Sequence, residues 1–151
     1  MFVKTIRISA VCLFMSVASA PTYSAGTDYG STTTVSSSAT LAQAAAKNRA
    51  GDYRGAITAL KGITKKQPKN ADAWNELGYA YRNVQDYFGA GNAYAKALRL
   101  NSKHRGALNY QGMMFLETGQ ISKAKSNAQT LKSICGSCKE LRSLNKAISK
   151  N

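Results

Sequence analysis

Residues of the same kind return every 34 positions along most of this 151-residue chain. The series contain small, apolar, aromatic and acidic residues: Ala44, Gly78 and Gly112; Ala56, Ala90 and Ala124; Ile63, Ala97 and Leu131; Tyr53 and Tyr87; Asp52 and Asp86. Such a period indicates one structural unit that is repeated along the chain and packs against its own copies.

From Leu41 onward the chain is rich in Ala, Leu, Tyr and Lys at helical spacing. No stretch alternates polar and apolar residues as a half-buried strand would, so we predict an all-α fold. Gly51 and Gly119 fall inside two of the repeats, where glycine suits a reversal of the chain, and Gln85 takes this place in the middle repeat. Each repeat is therefore expected to contain two helices joined by a tight turn.

The middle repeat reads Trp74-x-x-Leu77-Gly78-x-x-Tyr81, followed by Ala90-x-x-x-Tyr94 and Ala97. This pattern resembles the signature of the tetratricopeptide repeat (TPR) family almost position for position. It departs from the family at Ser102, where the family has proline, although Pro68 fills the same slot one repeat earlier.

The resemblance implies a solenoid of helical hairpins over residues 39–151, with three units at 37–70, 71–104 and 105–138. The outer units are degenerate, as expected for terminal repeats that face water on one side. In the final segment, 139–149, Leu141, Leu144 and Ile148 recur at spacings of three and four residues. We predict that this segment is a helix that caps the third unit.

The N-terminal segment is predicted to be a signal peptide over residues 1–25. Lys4 and Arg7 precede an apolar stretch and then small residues, with cleavage after Ala20 or Ala25. Lipid attachment at Cys12 and an uncleaved N-terminal helix are the alternatives. Residues 26–38, rich in Gly, Ser and Thr, are predicted to be a disordered tether. The signal peptide predicts an exported protein, periplasmic or secreted. Because no later segment has the roughly 20 apolar residues of a membrane span, we expect no transmembrane segment in the mature chain.

The chain is strongly basic. Removal of Lys4 and Arg7 with the signal peptide leaves 19 basic and 7 acidic residues, a formal net charge of +12. Such a charge favours acidic partners or electrostatic contact with an anionic cell envelope, and a well-solvated surface is the alternative. Nucleic acid is not expected as a partner, because the chain carries an export signal and no nucleic-acid motif.

Few residues suggest chemistry. Cys135 and Cys138 are the cysteines left after export, and in an oxidising compartment we predict a disulfide between them. A zinc site would need two further ligands, and His104, the single histidine, is predicted to lie on the surface near a loop between units. Without a nucleophile–base grouping, a phosphate loop or a dinucleotide fingerprint, we predict no catalysis and no cofactor.

The resemblance also implies a concave groove lined by the first helix of each unit. In TPR proteins the ligand-facing side chains occupy the second, fifth, ninth, twelfth and thirteenth positions of a unit. Those positions hold amides, two arginines, and aromatic and apolar side chains: Leu41, Ala45, Asn48 and Arg49; Asp72, Asn75, Tyr79, Arg82 and Asn83; Asn109, Met113, Leu116 and Glu117. Amides and arginines suit a peptide backbone and its carboxylates.

These observations favour an exported interaction module that binds an unidentified protein or peptide in its groove. An envelope-associated assembly factor for a secretion or pilus system is the second hypothesis, with the basic outer face as its working surface. A thiol–disulfide protein that uses Cys135 and Cys138 is the third.

Overall fold

The computed structural model describes residues 37–151, which form seven helices and no strand. The predicted signal peptide and residues 26–36 of the predicted tether lie outside the described residues. The helices are α1 (Ser37–Arg49), α2 (Tyr53–Lys66), α3 (Ala71–Asn83), α4 (Tyr87–Leu100), α5 (Arg105–Glu117), α6 (Ile121–Cys135) and α7 (Lys139–Ile148). The predicted all-α class is confirmed, and none of these helices is both long and apolar enough to cross a bilayer.

The helices form three hairpins, α1–α2, α3–α4 and α5–α6, that stack side by side. Helix α3 packs against both helices of the first hairpin and against α5, and α7 packs against both helices of the third hairpin. The helices α1, α3, α5 and α7 therefore form one layer, and α2, α4 and α6 form the other. This is the predicted solenoid with a C-terminal capping helix.

Side chains that precede the helices satisfy their first backbone N–H groups. The carboxylate of Asp52 accepts a hydrogen bond from the Gly55 N–H at 2.9 Å, and Asp86 accepts one from Gly89 at 2.8 Å. Asn70 caps α3 in the same way. Because a free N–H at a helix start needs an acceptor, each of these residues fixes where a helix begins.

His104 is the N-cap of α5, and the prediction that it lies on the surface is wrong. Its Nδ1 accepts a hydrogen bond from the Ala107 N–H at 3.1 Å. The Nε2 atom therefore carries the proton and donates to Asp72, 2.9 Å away on α3. These two contacts leave only 12% of the His104 side chain exposed. The histidine thus ties the second hairpin to the third.

The turn inside each hairpin contains one residue in the left-handed region of backbone space. Gly51 and Gly119 have φ values of 81° and 73°, and Gln85, at the same place in the middle hairpin, has a φ of 63°. A side chain with a Cβ is uncommon in this region. The middle hairpin therefore keeps the geometry of the other two turns without their glycine.

The two helices of a hairpin approach closely where a small residue faces a large one. A Cβ built on Gly78 would lie 2.6 Å from the ring of Tyr94, which is fully buried. The equivalent residues of the first hairpin are Ala44 and Leu60, in one core cluster. In the third hairpin they are Gly112 and Ala128, and the space above Gly112 is filled by Leu144 of α7 instead.

Candidate functional site

The layer of α1, α3, α5 and α7 contains two adjoining depressions that share Tyr110. The first has a volume of about 190 Å³ and the second about 320 Å³. We call the two together the inner groove. Its lining residues are Ala45, Asn48, Arg49, Glu76, Tyr79 and Tyr110 in the first depression, and Gly106, Asn109, Tyr110, Lys139, Glu140 and Ser143 in the second.

A row of three tyrosines runs from the first hairpin to the third. The rings of Tyr53 and Tyr79 are 6.2 Å apart and meet edge to face, and the rings of Tyr79 and Tyr110 are 4.9 Å apart. Burial raises the pKa of the Tyr110 hydroxyl, and the negative charge of Glu76 adds to this effect. The hydroxyl stays protonated at neutral pH, so it can donate a hydrogen bond to a ligand.

Three buried asparagines lie along the same layer. Asn48, Asn75 and Asn109 are 3%, 6% and 7% exposed, and the amide oxygen of each is without a hydrogen-bond partner among the described residues. The Asn48 amide nitrogen donates to the Glu76 carboxylate at 2.8 Å. A buried acceptor without a donor is costly, and native structures rarely keep one without a reason. Of the three, Asn48 and Asn109 line the inner groove, whereas Asn75 lies in the same layer but outside the lining.

Arg82 and Asp72, both predicted to face a ligand, form contacts within the protein. Arg82 makes an ion pair with Glu117 of α5, and its guanidinium lies 5.6 Å from the centre of the Tyr79 ring. Asp72 pairs with His104. These contacts link the second and third hairpins, and neither Arg82 nor Asp72 belongs to the lining of the inner groove.

The other predicted positions divide between surface and core. Arg49 is exposed at the edge of the first depression. The Asn83 amide donates to the Tyr79 carbonyl at 2.8 Å, inside its own helix. Met113 packs against the cluster between α5, α6 and α7, and Leu116, 9% exposed, belongs to that cluster. The structure thus places Met113 and Leu116 in the core at the C-terminal end, away from the inner groove.

Several groove residues were missed from the sequence. Glu76 and Tyr110 are 34 residues apart, so they share the sixth position of their units, which the family rule does not include. Lys139, Glu140 and Ser143 belong to α7, which was assigned a capping role only. The helix does both, because it extends the layer that lines the groove. No sequence signal pointed to this pair, because the sixth positions of the three units hold Ala42, Glu76 and Tyr110, which share no residue type.

Cys135 and Cys138 lie on either side of the turn between α6 and α7. Their Cα atoms are 5.6 Å apart and their sulfur atoms are in contact, a geometry that permits a disulfide. Cys138 is half-buried against the C-terminal cluster. Elsewhere in residues 37–151, no three His, Cys, Asp or Glu side chains are grouped so that they could hold a metal ion.

Comparison with known proteins gives the following likenesses. The sequence profile of the tetratricopeptide repeat family matches residues 40–90. A tetratricopeptide repeat protein from Parabacteroides merdae has 15% identity and a TM-score of 0.66, over 79% of this chain and 46% of that one. This chain thus spans about half the length of that relative. No curated protein sequence matches this chain significantly.

Two further structures contain bound peptides. The type III secretion chaperone SycD of Yersinia enterocolitica, in complex with a peptide of the translocator YopD, has 15% identity and a TM-score of 0.64, over 74% of this chain and 85% of that one. The second TPR domain of human RPAP3, in complex with an HSP70 peptide, has 20% identity and a TM-score of 0.67, over 74% and 93%. At these identities the likeness shows the fold.

The predicted family is thus supported by two independent lines, the sequence match in the first half of the repeats and the fold of the described residues. The described residues have the fold of tetratricopeptide repeat proteins, and residues 40–90 match the sequence profile of that family.

Proposed function

We propose that this protein is an exported interaction module that holds a peptide segment of another protein in the inner groove. The observation that carries the proposal is the pair of adjacent tyrosines, Tyr79 and Tyr110, in a groove whose lining also contains the amides of Asn48 and Asn109. Aromatic faces and amides together suit the side chains and the backbone of a peptide. A TPR fold serves as a scaffold for protein interaction, so the proposed role is reversible binding without catalysis.

The chemistry of the groove favours a peptide of mixed character. Tyr79 and Tyr110 offer flat apolar faces that are rigid, which lowers the entropic cost of binding an aromatic or aliphatic side chain. Arg49 and Lys139 lie toward opposite ends, with Glu76 and Glu140 near them. A ligand that carries both signs of charge would therefore be fixed in one direction along the groove.

Replacement of Tyr110 by alanine is expected to weaken peptide binding by about tenfold or more, because a central tyrosine in an interface is commonly worth over 1.4 kcal/mol. The measurement is site-specific photo-crosslinking in the cells that make the protein. A photoreactive amino acid replaces Arg49 in the groove, or exposed Ser126 on α6 as a control. We expect a protein adduct from position 49 that Tyr110→Ala abolishes while helicity is unchanged.

Two results would contradict this proposal. One is an equal adduct yield from positions 49 and 126, which would mean that contact is not specific to the groove. The other is a position-49 adduct that survives the Tyr110→Ala substitution. Mass spectrometry of a groove-dependent adduct would identify the partner. Separately, the mass of the purified mature protein would show whether the signal peptide is cleaved after Ala20 or after Ala25.

The second candidate, an envelope-associated assembly factor, is favoured by the charge of the outer layer. The helices α2, α4 and α6 together contain nine Lys and Arg residues and no acidic residue. Such a face is attracted to anionic lipid or wall polymer, and salt screens the attraction. Sedimentation with envelopes that is lost at high salt would support it, and retention in solution at low salt would exclude it.

We also propose that Cys135 and Cys138 form a disulfide in the exported protein. Its removal by a double substitution, Cys135→Ala with Cys138→Ala, is expected to lower the free energy of unfolding by about 2 kcal/mol at most, because the closed loop is short. Urea denaturation measures the change. Failure of the untreated protein to react with a thiol reagent after unfolding supports the disulfide, and reaction at both cysteines contradicts it.

The same reagent tests the third hypothesis, thiol–disulfide exchange. A structural disulfide resists mild reductant in the folded protein, whereas a redox-active one is reduced quickly. Rapid reduction of the folded protein would favour an exchange role for the pair.

A further inference from the structure

The outer layer contains a second cavity, between α2 and α4, that the inner groove does not involve. Its volume is about 720 Å³, within the range of sites that bind ligands. Trp74, Leu77 and Tyr81 of α3 form its floor, and Phe88 lies at its edge. We call it the outer cavity.

Phe88 is unusually placed for a large apolar side chain. It is 83% exposed at the start of α4, and Val84, in the turn just before it, is 37% exposed. A single exposed apolar residue needs no explanation, but here two lie next to a cavity with an aromatic floor. The apolar surface therefore continues from the floor of the cavity onto the turn between α3 and α4.

The rim of the outer cavity is cationic. Lys61 and Lys65 line it from α2, and Lys96 and Arg99 line it from α4. Within the described residues the ion pairs are Lys47–Asp52, Arg82–Glu117 and His104–Asp72, so none of these four cations is paired. The acidic residue of the lining, Asp86, accepts the capping hydrogen bond of α4.

The apolar and the cationic residues of the outer cavity lie at opposite ends of it. Phe88 is in the first turn of α4 and Arg99 is in its last turn, so about 16 Å of helix separates them at 1.5 Å per residue. An extended peptide covers this distance in about five residues. A flat bilayer surface fits less well, because Trp74 and Tyr81 are partly buried on α3, and α2 and α4 also line the cavity.

We propose that the outer cavity is a second binding site, for an acidic peptide segment that carries a bulky apolar residue about five positions from a cluster of carboxylates. The apolar residue packs against Phe88 and Tyr81. The carboxylates meet the cations at the other end, among them Lys65 and Arg99. This site works independently of the inner groove, and it gives the basic outer layer a specific ligand.

The test uses Trp74, which is the single tryptophan of the chain and lies in the cavity. The probe is the capped peptide Phe-Leu-Ser-Gly-Glu-Glu-Glu, together with the same residues in reverse order, because either direction fits the cavity. We expect one of them to change the Trp74 emission saturably. The peptide with glutamine in place of each glutamate is expected to bind at least about tenfold more weakly, since it lacks the charge.

Two charge-reversal variants identify the site. Lys65→Glu with Arg99→Glu is expected to weaken binding by about tenfold or more. Lys103→Glu with Lys146→Glu changes the net charge equally at exposed positions outside the cavity and is expected to have a much smaller effect. Tyr110→Ala, in the inner groove, is expected to leave the affinity unchanged. Circular dichroism verifies that each variant is folded.

Four results would overturn the proposal: no change in Trp74 emission at millimolar peptide, equal weakening by the two charge-reversal variants, loss of binding in the Tyr110→Ala variant, or an emission change caused by phosphatidylglycerol vesicles and not by peptide. The third would place the peptide in the inner groove. The fourth would make the outer layer a lipid-binding surface.

Discussion

Replacement of Gly78 by alanine is expected to lower the free energy of unfolding by about 2 kcal/mol. The added Cβ would lie 2.6 Å from two ring carbons of Tyr94, closer than nonbonded atoms can approach. Tyr94 is fully buried and its ring is rigid, so α3 and α4 must move apart. The clash alone would cost about 3 kcal/mol, and the higher helix propensity of alanine offsets about 1 kcal/mol of that cost.

Gly62 offers a matched control for the same chemical change. It lies inside α2, is exposed, and has no atom within 4 Å of a Cβ built on it. Gly62→Ala is therefore expected to raise the free energy of unfolding by about 0.5 to 1 kcal/mol, through helix propensity alone. Urea denaturation of both variants measures the difference, and similar values for the two would show that α3 and α4 are not in close contact at Gly78.

The first hairpin indicates how the clash can be relieved. It has Ala44 and Leu60 where the second has Gly78 and Tyr94, and both are buried in one cluster. The double variant Gly78→Ala with Tyr94→Leu copies this pair. We expect it to be more stable than the sum of the two single changes, by about 1 kcal/mol or more, because residues in contact are coupled.

The 34-residue period was sufficient to predict the hairpins, because it repeats small residues where helices cross and turn residues where the chain reverses. The middle repeat has Gln85 where the other two have a turn glycine, but this difference does not change the fold. The turn adopts the left-handed conformation with glutamine as well. His104 was misjudged because a lone histidine has no periodic partner in the sequence. Its role depends on Asp72, 32 residues away, which only the packing of α3 against α5 reveals.

The candidate site was harder to predict than the fold. The family rule proposed Asn48, Asn75 and Asn109, which lie along the inner layer as buried amides. It also proposed Leu116, which is buried between α5, α6 and α7. A rule based on unit positions assumes that each unit has a similar neighbour, and the third unit has α7 instead. The substitution of α7 for a fourth hairpin therefore changes which residues of α5 face a ligand.

The role of α7 leads to the second large effect. Replacement of Leu144 by alanine is expected to lower the free energy of unfolding by about 3 to 4 kcal/mol, as for leucines in well-packed cores. Leu144 is fully buried and fills the space above Gly112, where the second hairpin has the Tyr94 ring above Gly78. The corresponding residue of the third hairpin is Ala128, which is too small to fill it. The cavity left by Leu144→Ala thus has no neighbouring side chain to close it.

Ile148, half-buried one turn further along α7, is the control, and Ile148→Ala is expected to cost about 1 kcal/mol. Gly112→Ala completes a cycle with Leu144→Ala, because the Cβ at position 112 would meet the end of the Leu144 side chain at 2.7 Å. We expect Gly112→Ala to destabilise the wild type and to be neutral or stabilising in the Leu144→Ala variant. If the cost of Gly112→Ala is the same in both backgrounds, Leu144 does not fill this space. The cap would then be bound by other contacts, and the groove residues of α7 would not be held by the packing of α7 on α5.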